Sequence, residues 1–314
     1  MFDVAKDAGG KAILIAGPTA SGKSSLALAM AERVGGVVIN ADSMQVYREL
    51  RILTARPTPD DERRAPHALY GFVSAADAYS VGRYIADAHS ALATARKQGL
   101  VPIFVGGTGL YFKALLEGLS PVPAVDDAVR AHWRQAADTL APGELHRMLA
   151  ERDPEMAGRL DPSDMQRIVR ALEVIEHTGR SLADWQNNSG VPVIDERQTL
   201  RLMLLPERET LRARVDARFD AMMEEGALGE ARALAALELD TTLPSMRAIG
   251  VAPLMAAARG EISLETAVAA AKSDSRQYLK RQTTWLRRHM IAWSKISTQD
   301  MKITLANSVS FIQS

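Results

Sequence analysis

Eight consecutive residues carry the clearest chemistry in the chain. Gly17, Pro18, Thr19, Ala20, Ser21, Gly22, Lys23 and Ser24 fit the pattern G-x-x-x-x-G-K-[ST]. Small residues in such a loop let backbone N–H groups turn inward around a polyphosphate. Lys23 adds a point cation, and Ser24 offers an oxygen to Mg²⁺. The loop alone does not distinguish a diphosphate ester from the end of a nucleoside triphosphate, because both present similar oxygens. The second candidate is Asp42, in Ala41-Asp42-Ser43. A carboxylate there can take a proton or a hydrogen bond from a substrate, or it can open a turn or helix. Position alone leaves both readings open.

These residues need elements to hold them. The apolar run AILIA at 12–16 leads into the glycine loop, and SLALAMAERV follows with apolar residues at helical spacing. A β-branched run, VVIN at 37–40, ends just before Asp42, and VPIFV at 101–105 ends in Gly106-Gly107-Thr108-Gly109. VGRYIADAHSALATARKQG between them reads as an amphipathic helix closed by Gly99. Strands alternating with helices predict a parallel sheet covered on both faces, with the loop and Asp42 at its carboxyl edge. From Pro121 to about Asn188 only helix signals occur, the best being DMQRIVRALEVIEH, bounded by Pro162-Ser163-Asp164 and Gly179. Strand pattern returns in LRLMLL at 200–205, before further helices. The expected fold is α/β: a P-loop NTPase-like parallel sheet core, discontinuous over residues 1–120 and 197–314, with an inserted all-helical domain at 121–196. Residues 297–314 are polar, with a weak strand signal in KITLA.

Composition sets the outer bounds. With 314 residues, 47% of them hydrophobic and none of them cysteine, the chain excludes a disulfide-stapled module and a thiolate metal site. Basic and acidic residues balance at 38 each, so any affinity for nucleic acid must come from local clusters. One such cluster is the segment from Asp274 to His289, where Arg276, Lys280, Arg281, Arg287 and Arg288 face the single acid Asp274; phosphate contacts suit it. His132, His146, His177 and His289 show no metal spacing. The stretch 248–258 is too short to cross a membrane and is broken by Gly250 and Pro253, and the N-terminus has no apolar signal region. A cytoplasmic enzyme is expected.

The blocks GPTASGKS, ADSMQVYRELRILTARPT, VGGTGLYFKALLEGL, DMQRIVRALEV, LPSMRAIG and RQYLKRQTTWLR, in this order and spacing, resemble the bacterial tRNA dimethylallyltransferase (tRNA isopentenyltransferase, IPP transferase) family over residues 12–295. The resemblance implies transfer of a dimethylallyl group from its diphosphate to N6 of the adenosine 3′ of the anticodon, with Mg²⁺, by an enzyme expected to be monomeric. It implies a helical insertion that grips the anticodon stem-loop of tRNA. It also implies roles for particular residues: Lys23, Ser24 and Thr19 to Gly22 around the leaving diphosphate, Arg247 near it, and Asp42 as the base. Ser43, Met44 and Gln45, with Thr108, Arg130, Gln166, Arg167, Ile168, Val169 and Arg170, would contact tRNA, and the basic Lys280 and Arg281 join them on charge. Leu53, where glycine is common, Arg56, where lysine is frequent, and Val251-Ala252, in place of Tyr-Arg, depart from the family pattern, and Gly109 is expected to loosen the helix start after Thr108. The chief rival is a P-loop small-molecule or nucleotide kinase, and a third reading is a nucleotide-gated RNA-binding module without catalysis. Such a kinase would usually carry a carboxylate at a strand end to organise Mg²⁺, whereas VPIFV ends in Gly106-Gly107-Thr108.

Overall fold

The computed structural model describes residues 10–188, 190–296 and 310–312. Its strands are β1 (Ala12–Ala16), β2 (Gly36–Asn40), β3 (His67–Ala68), β4 (Val101–Gly106), β5 (Thr199–Leu204) and β6 (Ser294–Ile296). The helices are α1 (Lys23–Val34), α2 (Pro59–Arg64), α3 (Val81–Lys97), α4 (Gly109–Glu117), α5 (Asp127–Thr139), α6 (Pro142–Arg152), α7 (Pro154–Arg159), α8 (Met165–Thr178), α9 (Leu182–Gln186), α10 (Arg208–Glu224), α11 (Ala227–Ala235), α12 (Val251–Ala258) and α13 (Leu264–His289). The two described strands without a sequence signal, β3 and β6, are two and three residues long, too short for a period to register. KITLA and the extreme N-terminus lie outside the described residues.

The chain divides into two compact units, Glu117–Pro192 and the remainder. The boundaries fall a few residues before those expected, for a physical reason. The amides of Val193 and Ile194 both donate to the Leu115 carbonyl, and Ile194 is buried in the α/β core.

The α/β unit is built on a six-stranded sheet in the order β3-β2-β4-β1-β5-β6, every pairing parallel. Side chains alternate between its faces, as the two-residue strand period requires. Ala12, Leu14, Ala16, Val37, Ile39, Phe104 and Met203 enter one core, packed with Tyr84, Ala88 and Leu92 of α3. Ile13, Ile15, Val38, Ile103, Val105 and Leu202 enter the other, packed with Leu26, Met30 and Val34 of α1. Because both faces are covered and all strands run the same way, the loops after β1, β2 and β4 meet at one edge, on either side of the β1–β4 pairing.

Those loops approach so closely that Gly106 cannot carry a side chain: a Cβ would overlap the Ala41 carbonyl. Gly109, by contrast with the sequence expectation, does not loosen α4. The helix starts at Gly109, and the Trp285 ring occupies the space its side chain would take. Among the described residues no helix is long and apolar enough to cross a membrane.

The helical unit has its own core, with Trp133 fully buried among Leu145, Leu149, Ile168 and Leu172. Asp164 caps α8 by accepting the Arg167 amide, and Gly179 ends it with φ 67°.

Two glycine substitutions separate close packing from backbone freedom. Gly106→Ala should destabilise the chain by ~2–3 kcal/mol, because backbone on both sides must yield. Gly229→Ala, on α11 with nothing within 4 Å of a new Cβ, should stabilise it by ~0.5–1 kcal/mol. Urea unfolding of both variants checks the signs.

Candidate active site

The glycine loop leaves β1 with the Gly17 amide donating to the Gly106 carbonyl at 3.3 Å. Ala20 (φ 60°) and Gly22 (φ 89°) turn the chain sharply into α1. Gly22 caps α1 without any side-chain hydrogen bond, so the amides of Lys23, Ser24 and Ser25 have no intrahelical acceptor and the helix start favours an anion. The Ser21 hydroxyl is buried with no partner among the described residues; a phosphate oxygen would supply one. Two expected donors are otherwise engaged. The Thr19 amide donates to Gln282 Oε1 at 2.9 Å, and the Ser21 amide to the Pro18 carbonyl at 3.3 Å. Thr19 is thus a tie between elements, and its hydroxyl accepts a hydrogen bond from Arg218.

Lys23 sits in this cradle with Nζ donating to the Pro18 carbonyl at 3.3 Å. Desolvation lowers its pKa to about 8; the Asp42 carboxylate pulls it upward, and the Arg218 charge pushes it further down. Arg218, from α10, is itself desolvated, which lowers its pKa against the attraction of Asp42. Two half-buried cations and one half-buried carboxylate therefore share the site.

Asp42 is fixed from both sides. Asn40, fully buried at the end of β2, accepts the Asp42 amide at 2.8 Å through Oδ1 and donates to the Asp42 carbonyl at 2.9 Å through Nδ2. Asp42 Oδ1 accepts the Met44 amide at 3.0 Å, so the residue does shape a turn. It also lines a cavity of about 290 Å³ with Thr19, Ser43, Arg218, Tyr278 and Gln282. The cavity has an apolar wall of Met44, Leu53, Val215, Phe219 and Met222. Tyr278 is held neutral, its pKa raised by burial and by the Asp42 charge.

Sequence reasoning missed three residues here. Asn40 had a signal, a polar residue closing an apolar strand. Arg218 and Gln282 had none, lying in helices where their spacing resembles any surface position. Yet Gln282 is 6% exposed and joins two catalytic-edge loops, accepting from Thr19 and donating to the Gly107 carbonyl at 3.1 Å.

The remaining candidates separate. Thr108 Oγ1 accepts the Ser43 amide at 2.9 Å, bracing the turn that carries Asp42. Gln45 Nε2 donates to the Thr54 and Ala55 carbonyls, each at 2.9 Å, so this group supports a loop. Arg56 Nη1 does similar work on the Tyr47 and Arg48 carbonyls. Of the departures from the family pattern, Leu53 lines the cavity, Val251 is fully buried in the core and Ala252 is exposed.

Arg247 and Arg281 line the Asp42 cavity, but Lys280 does not. Being next to Arg281 on a helix, it faces elsewhere, toward a second cavity of about 420 Å³ with Arg208, Arg212 and Arg287. Arg276 also lines that cavity, and it is paired with Asp216 at 2.8 Å.

In the helical unit, Gln166 and Arg167 are exposed. Arg167 pairs with Asp164 at 3.3 Å, Arg170 with Glu173 at 3.2 Å, and Arg130 with Asp127 at 3.5 Å. The exposed Arg167–Asp164 and Arg130–Asp127 pairs open at little cost, whereas Glu173 is 6% exposed and holds Arg170 in a half-buried pair. The Ile168 side chain is 0% exposed in the unit's core, so a contact there would fall to its backbone, and Val169 packs against the same core. Among the described residues no group of three or more His, Cys, Asp or Glu could hold a metal.

Comparison with known proteins accounts for this arrangement. The IPP transferase family model matches residues 45–289, and an isopentenyl transferase model matches residues 10–66. The chain is 51% identical to a tRNA dimethylallyltransferase of Parvibaculum lavamentivorans, covering 96% of both chains. It is 54% identical to that of Azorhizobium caulinodans, over 90% of this chain and 91% of the relative. The crystal structure of the tRNA isopentenylpyrophosphate transferase of Bacillus halodurans superposes with a TM-score of 0.69 at 29% identity over 97% of each chain. A eukaryotic dimethylallyltransferase acting on tRNA superposes with a TM-score of 0.79 at 27% identity, over 91% of this chain and 73% of that one. With a phosphate cradle, a fixed carboxylate and these relatives over nearly its whole length, the chain belongs to the IPP transferase family, that of the tRNA dimethylallyltransferases.

Proposed function

We propose that this chain transfers a dimethylallyl group from dimethylallyl diphosphate to N6 of the adenosine 3′-adjacent to the anticodon of tRNA, releasing diphosphate. It would act as a monomer in the cytoplasm. The observation that carries the reading is one cavity lined by Asp42 together with Thr19, Arg218 and a set of apolar side chains. In the reaction the bond between the allylic carbon and the diphosphate oxygen breaks and the N6–carbon bond forms. Lys23, Arg218 and the first amides of α1 stabilise the charge that gathers on the departing diphosphate. Asp42 accepts the hydrogen bond, then the proton, of the N6 amine, whose lone pair is otherwise drawn into the ring. Met44, Val215, Phe219 and Met222 offer an apolar surface to the five-carbon chain and keep water from the allylic cation.

The exposed Ser24 hydroxyl at the start of α1 suits a cation that takes one or two protein oxygens and otherwise binds phosphate. Mg²⁺ held there would add to the neutralisation of the leaving group. The adenosine must leave its stack to reach the cavity, and the arginines of α8, Arg167 and Arg170, would hold the anticodon stem-loop through its phosphates.

Incubation with labelled dimethylallyl diphosphate and unmodified anticodon stem-loop should put label on the RNA. A kinase would instead consume ATP with no RNA present, leaving adenosine unalkylated. Asp42→Asn should cut turnover by ~10²–10⁴-fold with tRNA affinity nearly unchanged; parallel loss of affinity would make Asp42 an RNA anchor instead. The depressed Lys23 pKa sets a pH limit. The free cradle loses this charge as pH rises through about 8, and a bound anion favours the charged form. Affinity for inorganic diphosphate should therefore fall above pH 8, by at most about tenfold per unit, with proton uptake on binding. Calorimetry in buffers of different ionisation enthalpy measures the uptake, which Lys23→Ala should abolish. Replacing Arg167 and Arg170 by alanine should reduce the slope of log affinity for tRNA against log salt by ~1.4–1.8.

A further inference from the structure

The segment Leu50–Arg56 forms part of the wall of the Asp42 cavity, through Leu53 and Thr54. It has no regular secondary structure of its own, and Ala55 sits at φ 51°. Three consecutive amides at its start converge on one carboxylate. Glu230, on α11, accepts Arg51 N and Ile52 N at 2.7 Å each through Oε2, and Leu53 N at 2.8 Å through Oε1. Successive inward N–H groups of this kind form a concavity for an anion, and here the protein supplies the anion from almost 180 residues away in sequence. Each of the three is a charge-assisted hydrogen bond.

The loop is also held by its buried Leu50 and Leu53 and by an Arg51–Glu62 ion pair, but its other hydrogen bonds are local. Gln45 holds the carbonyls of Thr54 and Ala55, Thr54 Oγ1 donates to the Leu50 carbonyl, and Arg56 holds Tyr47 and Arg48. All of these tie the loop to itself or to its immediate neighbours. Glu230 alone, among these bonds, ties it to α11, whose Ala227 and Ala231 are buried in the core shared by the sheet. Its three bonds go only to backbone, so they are indifferent to the side chain at position 53. That allows leucine to stand there as part of the cavity wall, packed near Gly250 and Phe219.

We propose that Glu230 is a positioning residue for the transfer reaction: its carboxylate fills the nest of amides at Arg51–Leu53 and thereby fixes the Leu53–Thr54 wall against which the reacting groups are aligned. The inference rests on the prenyl-transfer reading above. Misplacement of a cavity wall by about an ångström lowers turnover steeply while leaving distant contacts alone. The phosphate cradle has its own ties and should not feel the change.

The test compares Glu230→Ala, Glu230→Gln and the unmodified chain, well below their melting temperatures. The unmodified chain must prenylate the stem-loop; if it does not, the functional reading fails and this inference falls with it for that reason. If it does, Glu230→Ala should lose ~10–100-fold in turnover while its affinity for inorganic diphosphate stays within about twofold. Glu230→Gln, which keeps an acceptor but places a donor against the nest, should fall between. Added formate should restore part of the activity of Glu230→Ala, by refilling the nest, and none of that of a Lys23→Ala control. Unchanged turnover in Glu230→Ala, parallel loss of diphosphate affinity, or no response to formate each overturns the proposal.

Discussion

Desolvated positive charge is the constraint on which the rest depends. Lys23 and Arg218 are half-buried beside Asp42, the carboxylate that attracts both, and for Lys23 desolvation outweighs that attraction. A site in that condition is incomplete by itself: an arriving polyanion gains more from it than it would from hydrated cations, because charges interact more strongly where water is scarce. Burial and the Asp42 charge together keep Tyr278 neutral, while the nearby Arg281 charge acts the other way. The electrostatic work is thus done before the substrate arrives, as catalysis by preorganisation requires.

Holding such charges in place falls largely to backbone. The Gly17 amide reaches the Gly106 carbonyl, the Ala41 amide the Val105 carbonyl, and the Thr108 amide the Ala41 carbonyl. Three loops at one sheet edge are laced to one another by groups that every sequence possesses. The side chains that complete the lacing, Asn40, Thr108 and Gln282, each bridge main-chain atoms of different segments or turns. Reactive residues then hang from a frame that is already rigid.

Legibility in the sequence follows from this division. The strands β1, β2, β4 and β5 were readable because each is an apolar run long enough to register, and the glycine loop because phosphate chemistry demands small residues at fixed spacing. The carboxyl-edge position of Asp42 followed from the strand before it. Arg218 and Gln282 were not readable, since a residue brought to the site by a long-range helix crossing leaves no local trace. Charge alone does not separate Lys280 from Arg281, which are neighbours in the chain but line different cavities. Ile168 shows the reverse case, a position inside a segment expected to contact tRNA whose side chain the core claims. The ties made by Thr19 and Gln45 were invisible for the same reason, because their partners are set by tertiary approach.

The packing of Trp285 into the space beside Gly109 has an evolutionary reading. Two positions 176 residues apart in the chain share one volume, so neither can change size alone. Any homologue that carries a side chain at the first position must turn, shrink or withdraw the indole at the second, and with it the ring stacked on His289. Across an alignment the two columns should therefore vary in concert, a steric covariation that records the docking of α13 on the start of α4.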